Sequence, residues 1–453
     1  MLVVISDLHF EEVASDAVAA PGGGYPVAFT ERNLRPEAFG VFFRDLSDAA
    51  RRDGVRRLDL VLAGDIVDLH RTSMWLVDDL RPYVACPDVA PGSPLEAKIL
   101  GILDAIAAEE AVASSLAAIR QLSTGQPVPG APPGLEAPAV QAAVHYLPGN
   151  HDRLVNATPA IRARVCALLG TADPGGPFPH VYDSADPRVL VRHGHEYDPI
   201  NFGAAFPREA PMPAEVAPAA YDEWTFGDFV TVEVAMGLPH AFRQVHGEAI
   251  ARDRLRASVY KRLLEFDDVR PQSELVPFVL TIPGFDPRMV WKELEPAVRL
   301  LLDRIAESPH LDAALARGRV SPVWKAFLDT RFWRLGLPLW LLQALGRAVS
   351  GSGRADPAAA AAREQVVEGG LKRLVVAGHT HHPQVALLSN QGGFDRYFVD
   401  TGTWRNVVLS SGAGDFSNAK ALTYVVVYSS DEDRLRGRKE ESFDYWSGYT
   451  KRW

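Results

Sequence analysis

The chain has 453 residues, 47% of them hydrophobic and 23% charged, the balance of a soluble globular protein with room for two or three domains, or one core with large insertions. A net charge of −10 counts against a nucleic-acid partner, whose phosphates need a basic footprint, although bound cations would add positive charge locally. Two cysteines, Cys86 and Cys166, give neither a disulfide framework nor a C-x-x-C metal spacing, so buried thiols in a reducing, cytoplasmic setting are expected. No basic segment precedes the first apolar run, so no signal peptide is expected, and no run reaches the ~20 apolar residues of a membrane-spanning helix.

Residues 2–6 are apolar, β-branched and strand-like, ending at Asp7-Leu8-His9. Residues 11–36, rich in Gly and Pro, read as a long loop. A helix is predicted over 37–52, with Phe39, Phe42, Phe43, Leu46 and Ala50 as its inward stripe and Gly54 beyond its end. Residues 58–62 form the next strand, with Ala63-Gly64-Asp65 at its tip. Strand, helix, strand is a βαβ opening whose strands end in polar residues, where ligands gather in open α/β sheets. Asp68 and His70 follow, and His70 is either a substrate-phosphate contact or, with Asp68, a polar pair at a helix start.

Residues 71–93 look irregular, 95–122 form an alanine-rich helix, and 125–138 a loop. A buried strand at 144–147 is broken by Pro148-Gly149, and the turn presents Asn150, His151 and Asp152 together. A helix is expected over 161–169 and a strand over 188–192, ending at His193-Gly194-His195. From 203 to 369 aromatic, amphipathic helices dominate and metal-type residues are sparse. The apolar run 332–345, interrupted by Pro338, reads first as a buried helix. A membrane-surface or acyl-chain face and a dimer contact are its alternatives. Ser350-Gly351-Ser352-Gly353 is linker-like. A strand at 374–377 ends at Gly378-His379-Thr380-His381-His382. Runs at 384–388, 396–399 and 421–428 suggest a second sheet layer, and 431–441 is a solvated charged stretch. The division is therefore a core over 1–202 with a helical insertion near 71–140, a helical cap over 203–369, and the rest of the core over 370–453.

Five strand tips thus carry Asp7/His9, Asp65, Asn150/His151/Asp152, His193/His195 and His379/His381. Any one tip is weak evidence, because a single His at a strand end is usually a hydrogen-bonded surface or core residue. Counting His382, seven of the thirteen histidines fall at these tips. Two divalent cations held close together need about six side-chain ligands and a bridging carboxylate, with imidazoles and an amide oxygen to fill the remaining positions. The five tips offer that mixture.

The ordered set Asp7-x-His9, Gly64-Asp65, Gly149-Asn150-His151-Asp152, His193 and Gly378-His379-x-His381 resembles the calcineurin-like metallophosphoesterases. The resemblance covers 1–202 and 370 to about 408. It implies an α/β fold, a four-layer αββα sandwich with a large, mostly helical insertion. It also implies two divalent metal ions, Mn, Fe, Zn or Co, with Mn favoured. Asp7, His9 and His381 would hold one, Asn150, His193 and His379 the other, and Asp65 would bridge. Of His193 and His195, the first histidine of a His-Gly-x unit matches the family pattern. His151 would be the catalytic proton donor, with Asp152 orienting it. Asp400-Thr401-Gly402-Thr403-Trp404 resembles the family's structural closing strand, and His382 is a candidate substrate contact.

The implied function is hydrolysis of a phosphomonoester or phosphodiester by attack of a metal-bridging hydroxide. The substrate would be a small phosphoester chosen by the 203–369 insertion, with no obligate protein partner. A nuclease, a lipid or nucleotide pyrophosphohydrolase and a protein phosphatase are the alternatives within the superfamily. A fold-only scaffold would be expected to have lost ligands, and here every ligand position is filled.

Overall fold

The computed structural model describes residues 1–18, 32–132, 135, 140–204, 212–213, 215–318, 322–335, 356–412, 414–438 and 441–450. The strands are β1 (Leu2–Ile5), β2 (Leu58–Ala63), β3 (Ala142–Leu147), β4 (Val181–Ala185), β5 (Arg188–Arg192), β6 (Val269–Arg270), β7 (Leu374–Ala377), β8 (Gln384–Ser389), β9 (Arg396–Asp400), β10 (Asn406–Ser410), β11 (Phe416–Val427) and β12 (Phe443–Thr450). They form two sheets. One has the order β3-β2-β1-β11-β10-β6, with β12 also pairing β11. The other runs β4-β5-β7-β9-β8. Pairing is parallel for β1–β2, β2–β3, β5–β7 and β7–β9, so β1, β2 and β3 end at one edge of the first sheet and β5, β7 and β9 at one edge of the second.

The period-two alternation of side chains builds the layers. Leu2, Val4, Val61, Ala63, Leu147, Val425 and Val427 of the first sheet pack on Val189, Val191, Leu374, Val376 and Val399 of the second. The alternate residues, among them Val3, Ile5, Leu60, Leu62 and Tyr146, join the helical core on the first sheet's other face. The second sheet's outer face, with Leu190, Val375 and Phe398, is covered by Ala358, Ala361 and Val367. Each fully buried Val, Leu or Ile contributes about 1.5–3 kcal/mol of transfer free energy. The result is a mixed α/β molecule with two sheets packed face to face.

Helix α1 (Pro36–Arg52) starts with Pro at its first position and buries Phe39, Phe42, Phe43, Leu46 and Ala50, the predicted stripe. The single helix predicted over 95–122 is two, α2 (Pro94–Ala108) and α3 (Glu110–Thr124). Glu109 leaves the helical region between them at ψ 126°, and its carboxylate accepts from the backbone N–H groups of Val13 and Ala14. Helix α4 (Pro159–Leu169) is capped by the Thr158 side chain. The 421–428 run does not belong to a second layer. It is the end of β11, which pairs antiparallel with β1 at the centre of the first sheet. The 384–388 and 396–399 runs do lie in the second sheet, as β8 and β9.

Residues 215–318 are mostly helical, the longest helix being Pro287–Glu307. They also supply β6, which pairs in parallel with β10, and they share one apolar core with α1 to α4. Buried ion pairs tie the two together: Arg153 to Asp228 at 2.9 Å and Arg71 to Asp268 at 3.1 Å. Of the 332–345 run, Trp333 is fully buried and donates from its indole to Asp303. Residues 336–345 and the 350–353 linker lie outside the described residues. Among the described residues no helix is long and apolar enough to cross a membrane. Cys86 and Cys166 are free and buried.

Candidate metal centre

The five tips converge. Asp7 and His9 follow β1, Asp65 follows β2, Asn150 and His151 follow β3, His193 follows β5, and His379 and His381 follow β7. Their donor atoms form three groups, each with all its atoms within 4.8 Å of one another: Asp7, His9 and His381; Asp65, His193 and His379; and His9, Asp65 and His151. Asn150 completes the second group, its Oδ1 3.2 Å from His193 Nε2. Asp65 lies between the groups, its Oδ2 3.1 Å from His193 Nε2 and 3.6 Å from His9 Nε2. Across the first group His381 Nε2 is 3.3 Å from Asp7 Oδ1 and 2.9 Å from His9 Nε2.

The backbone is bent to make this cluster. Six non-glycine residues among those described have φ in the left-handed region, and five are Asp7, His9, Asp65, His379 and His381. Such a conformation costs roughly 1–2 kcal/mol per residue and persists where surrounding structure enforces it, typically at functional sites. Two glycines allow the close approach. A Cβ on Gly64 would collide with the His193 imidazole, and one on Gly378 with the Asp7 carboxylate.

Asp7, Asp65 and Asp68 are all buried, and within 4 Å their counter-charges are imidazoles. Burial opposes ionisation of Asp7, but hydrogen bonds from His381 and His9 hold it well below the usual carboxylate range. Asp65 is lowered in the same way, against burial, by the charges of His193 and His151. Burial likewise opposes charge on His9, yet its hydrogen bonds to Asp68 and Asp7 raise it to about 9. His193, beside Asp65, rises to about 10 against the same penalty. Deep carboxylates balanced by imidazoles that must hold extra protons are a donor set suited to divalent cations, which replace those protons.

In three of the imidazoles the remaining nitrogen is held as a ligating histidine requires. His193 Nδ1 sits 2.9 Å from the Ala63 carbonyl oxygen and His9 Nδ1 2.8 Å from Asp68 Oδ2. His379 Nε2 lies 3.2 Å from Asp198 Oδ2. The Asp7 turn is braced from the closing segment, where the Thr403 hydroxyl and the Trp404 N–H donate to its carbonyl.

The orienting role expected of Asp152 belongs to Asp68. Asp68 Oδ1 is 2.9 Å from His151 Nδ1, so one carboxylate spans His151 and His9. Asp152 turns inward instead. It accepts from the Ile66, Asp65 and Gly149 N–H groups and from the Tyr146 hydroxyl, because the crossing of two strand tips leaves those donors without another acceptor. Burial and the charge of Asp65 push Asp152 up to about 6.

His195 is buried, its ring 5.2 Å from that of His193, and belongs to none of the three donor groups. Burial pushes it down to about 3. His70 is buried with Nε2 lacking a hydrogen-bond partner, its ring 6.1 Å from His151. His382 is exposed. Sequence reasoning missed Asp198, Arg270 and the role of Asp68. The last sits three residues after Asp65, a spacing that could have found it.

Comparison with protein-family models, curated proteins and solved structures finds no match to this chain. The geometry therefore stands alone: buried His/Asp clusters at converging strand ends that could hold a metal ion. His151 lies at their edge, its side chain 15% exposed.

Proposed function

We propose that this chain is a calcineurin-like metallophosphoesterase, a hydrolase of phosphomonoesters or phosphodiesters working with two divalent cations, and that its paired sheets with helices outside are the αββα sandwich of that superfamily. The observation that carries the reading is the pair of donor groups, Asp7/His9/His381 and Asp65/His193/His379, adjoining at Asp65. Cations held there would supply Lewis acidity to phosphoryl oxygens and acidify water.

The chain's own residues do the rest. Asp65 carries the charge shared between the two groups. His151 is fixed through Nδ1 by Asp68, which leaves Nε2 for the leaving oxygen. Burial opposes a proton on this ring, but the charges of Asp68 and Asp65 raise its affinity well above the ordinary imidazole value. Held in this way it is suited to give general-acid help, typically worth about 10²–10⁴ in rate.

The test is hydrolysis of p-nitrophenyl phosphate and bis-p-nitrophenyl phosphate by metal-stripped protein with and without Mn²⁺. Metal-restored turnover is expected, and the preferred ester separates phosphatase from phosphodiesterase. Turnover of neither ester by protein shown to hold metal would refute the reading.

A further inference from the structure

Strand β6 brings one long side chain of the 203–369 segment to the candidate metal centre. Its pairing with β10 carries the Arg270 guanidinium to His381, with Nη2 2.8 Å from His381 Nδ1. The other amino group, Nη1, donates to the carbonyls of Asp267 and Val269 at 2.7 and 2.9 Å. The head of Arg270 is therefore aimed by its own turn and not by His381 alone.

A guanidinium has N–H donors and no acceptor, so His381 Nδ1 accepts. Neutral His381 then carries its proton on Nε2, which lies 3.3 Å from Asp7 Oδ1.

That tautomer is incompatible with a cation on His381. Ligation through Nε2 moves the imidazole proton to Nδ1 and sets two donors face to face. Ligation through Nδ1 takes the lone pair that Arg270 uses. Either way Arg270 must leave His381 when a cation arrives, while the bonds to Asp267 and Val269 keep it at the site. A permanent positive charge beside bound cations is repelled by them unless an anion lies between. The planar fork of a guanidinium fits phosphate oxygens better than a lysine ammonium does.

We propose that Arg270 is a substrate-binding residue, displaced from His381 by metal loading and then engaging a phosphoryl oxygen, so that phosphate affinity depends on both metal and Arg270. The inference rests on the phosphoesterase reading above. It gives the 203–369 segment a direct part in recognition.

The experiment is calorimetric titration of inorganic phosphate into Mn-loaded and metal-stripped wild type, Arg270→Ala and Arg270→Lys. Metal content is measured by atomic emission and folding by thermal melting. Stripping the metal should weaken phosphate binding at least about tenfold, and Arg270→Ala in the loaded protein should do the same with full metal content. Arg270→Lys, which keeps the charge and most of the stem, should fall between and serves if the alanine variant does not fold. Unchanged phosphate affinity in the variants overturns the proposal. So does phosphate binding by stripped wild type equal to that of loaded protein, or loss of metal by the variants. Ester hydrolysis by the same wild-type sample separates the two readings. Turnover with Arg270-independent phosphate binding sinks this inference alone, whereas Arg270-dependent binding with no turnover sinks the phosphoesterase reading.

Discussion

Asp68→Ala tests whether one carboxylate serves both metal retention and turnover. Oδ2 lies 2.8 Å from His9 Nδ1, and Oδ1 lies 2.9 Å from His151 Nδ1 and from the Arg71 backbone nitrogen. The side chain is fully buried. Removing the outer partner of a ligating histidine typically costs about 10–100-fold in metal affinity, or about 1.4–2.8 kcal/mol. Competition against a chromogenic chelator would read this as a weaker Mn²⁺ constant. The Arg71 N–H loses its acceptor as well, for about 1–3 kcal/mol of stability. At saturating metal the loss in kcat should remain, because His151 is no longer held. Since both substitutions disable the same imidazole, Asp68→Ala/His151→Ala at saturating metal should be no slower than His151→Ala. Wild-type metal affinity in Asp68→Ala, together with multiplicative losses in the double variant, would refute the assignment.

Asp152→Ala should act on stability. It strips the acceptor from the Ile66 and Gly149 N–H groups and the Tyr146 hydroxyl, each worth about 1–3 kcal/mol when left buried and unpaired. Urea denaturation should show a loss of about 3 kcal/mol or more, and an unchanged midpoint would contradict the clamp. His193→Ala should lower metal stoichiometry, whereas His195→Ala should leave it at the wild-type value. Atomic emission on the purified variants distinguishes them, and the reverse result would exchange the two histidines. In metal-stripped protein, His9 and His193 are raised from 6.5 to about 9 and about 10. Their protonation therefore stabilises the fold fully below pH 6.5, and the contribution is lost as pH rises through 9 and 10. Melting temperature should fall over that window in stripped protein and much less in loaded protein, where cations replace the protons. A rise on the alkaline side in stripped protein would show that these imidazoles are not the stabilising groups.

The strand tips were legible in the sequence because each is a local event. An apolar β-branched run stops, and polar residues with a glycine follow within a few positions. That is why Asp7, His9, Asp65, His193, His379 and His381 could be read before any geometry was known. The orienting role that the resemblance implied for Asp152 does not hold, because neighbouring side chains diverge in a tight turn. Asp68 meets His151 across 83 residues, and Arg270 meets His381 across 111. No local pattern announces either contact. The same limit explains β11. Its apolar run is as visible as any other, but which sheet a strand joins is decided by a partner hundreds of residues away, here β1.

The strained backbone bears on why these residues are where they are. Left-handed φ at Asp7, His9, Asp65, His379 and His381 costs about 1–2 kcal/mol at each, a sum of the same order as the net stability of a whole domain, about 5–15 kcal/mol. Packing alone gives no reason to accept it, since Gly or Asn would hold the same turns at less cost. The neighbouring strands can absorb it. β1, β2 and β7 are buried throughout, and their apolar side chains fix the backbone up to the residue where the turn begins. A donor two residues beyond a rigid strand is positioned by that strand, whereas the same donor on a free loop is not. Strain concentrated at the donor positions, beside strands among the best buried in the molecule, is therefore the arrangement expected when the geometry of a site is maintained against the local preference of the chain.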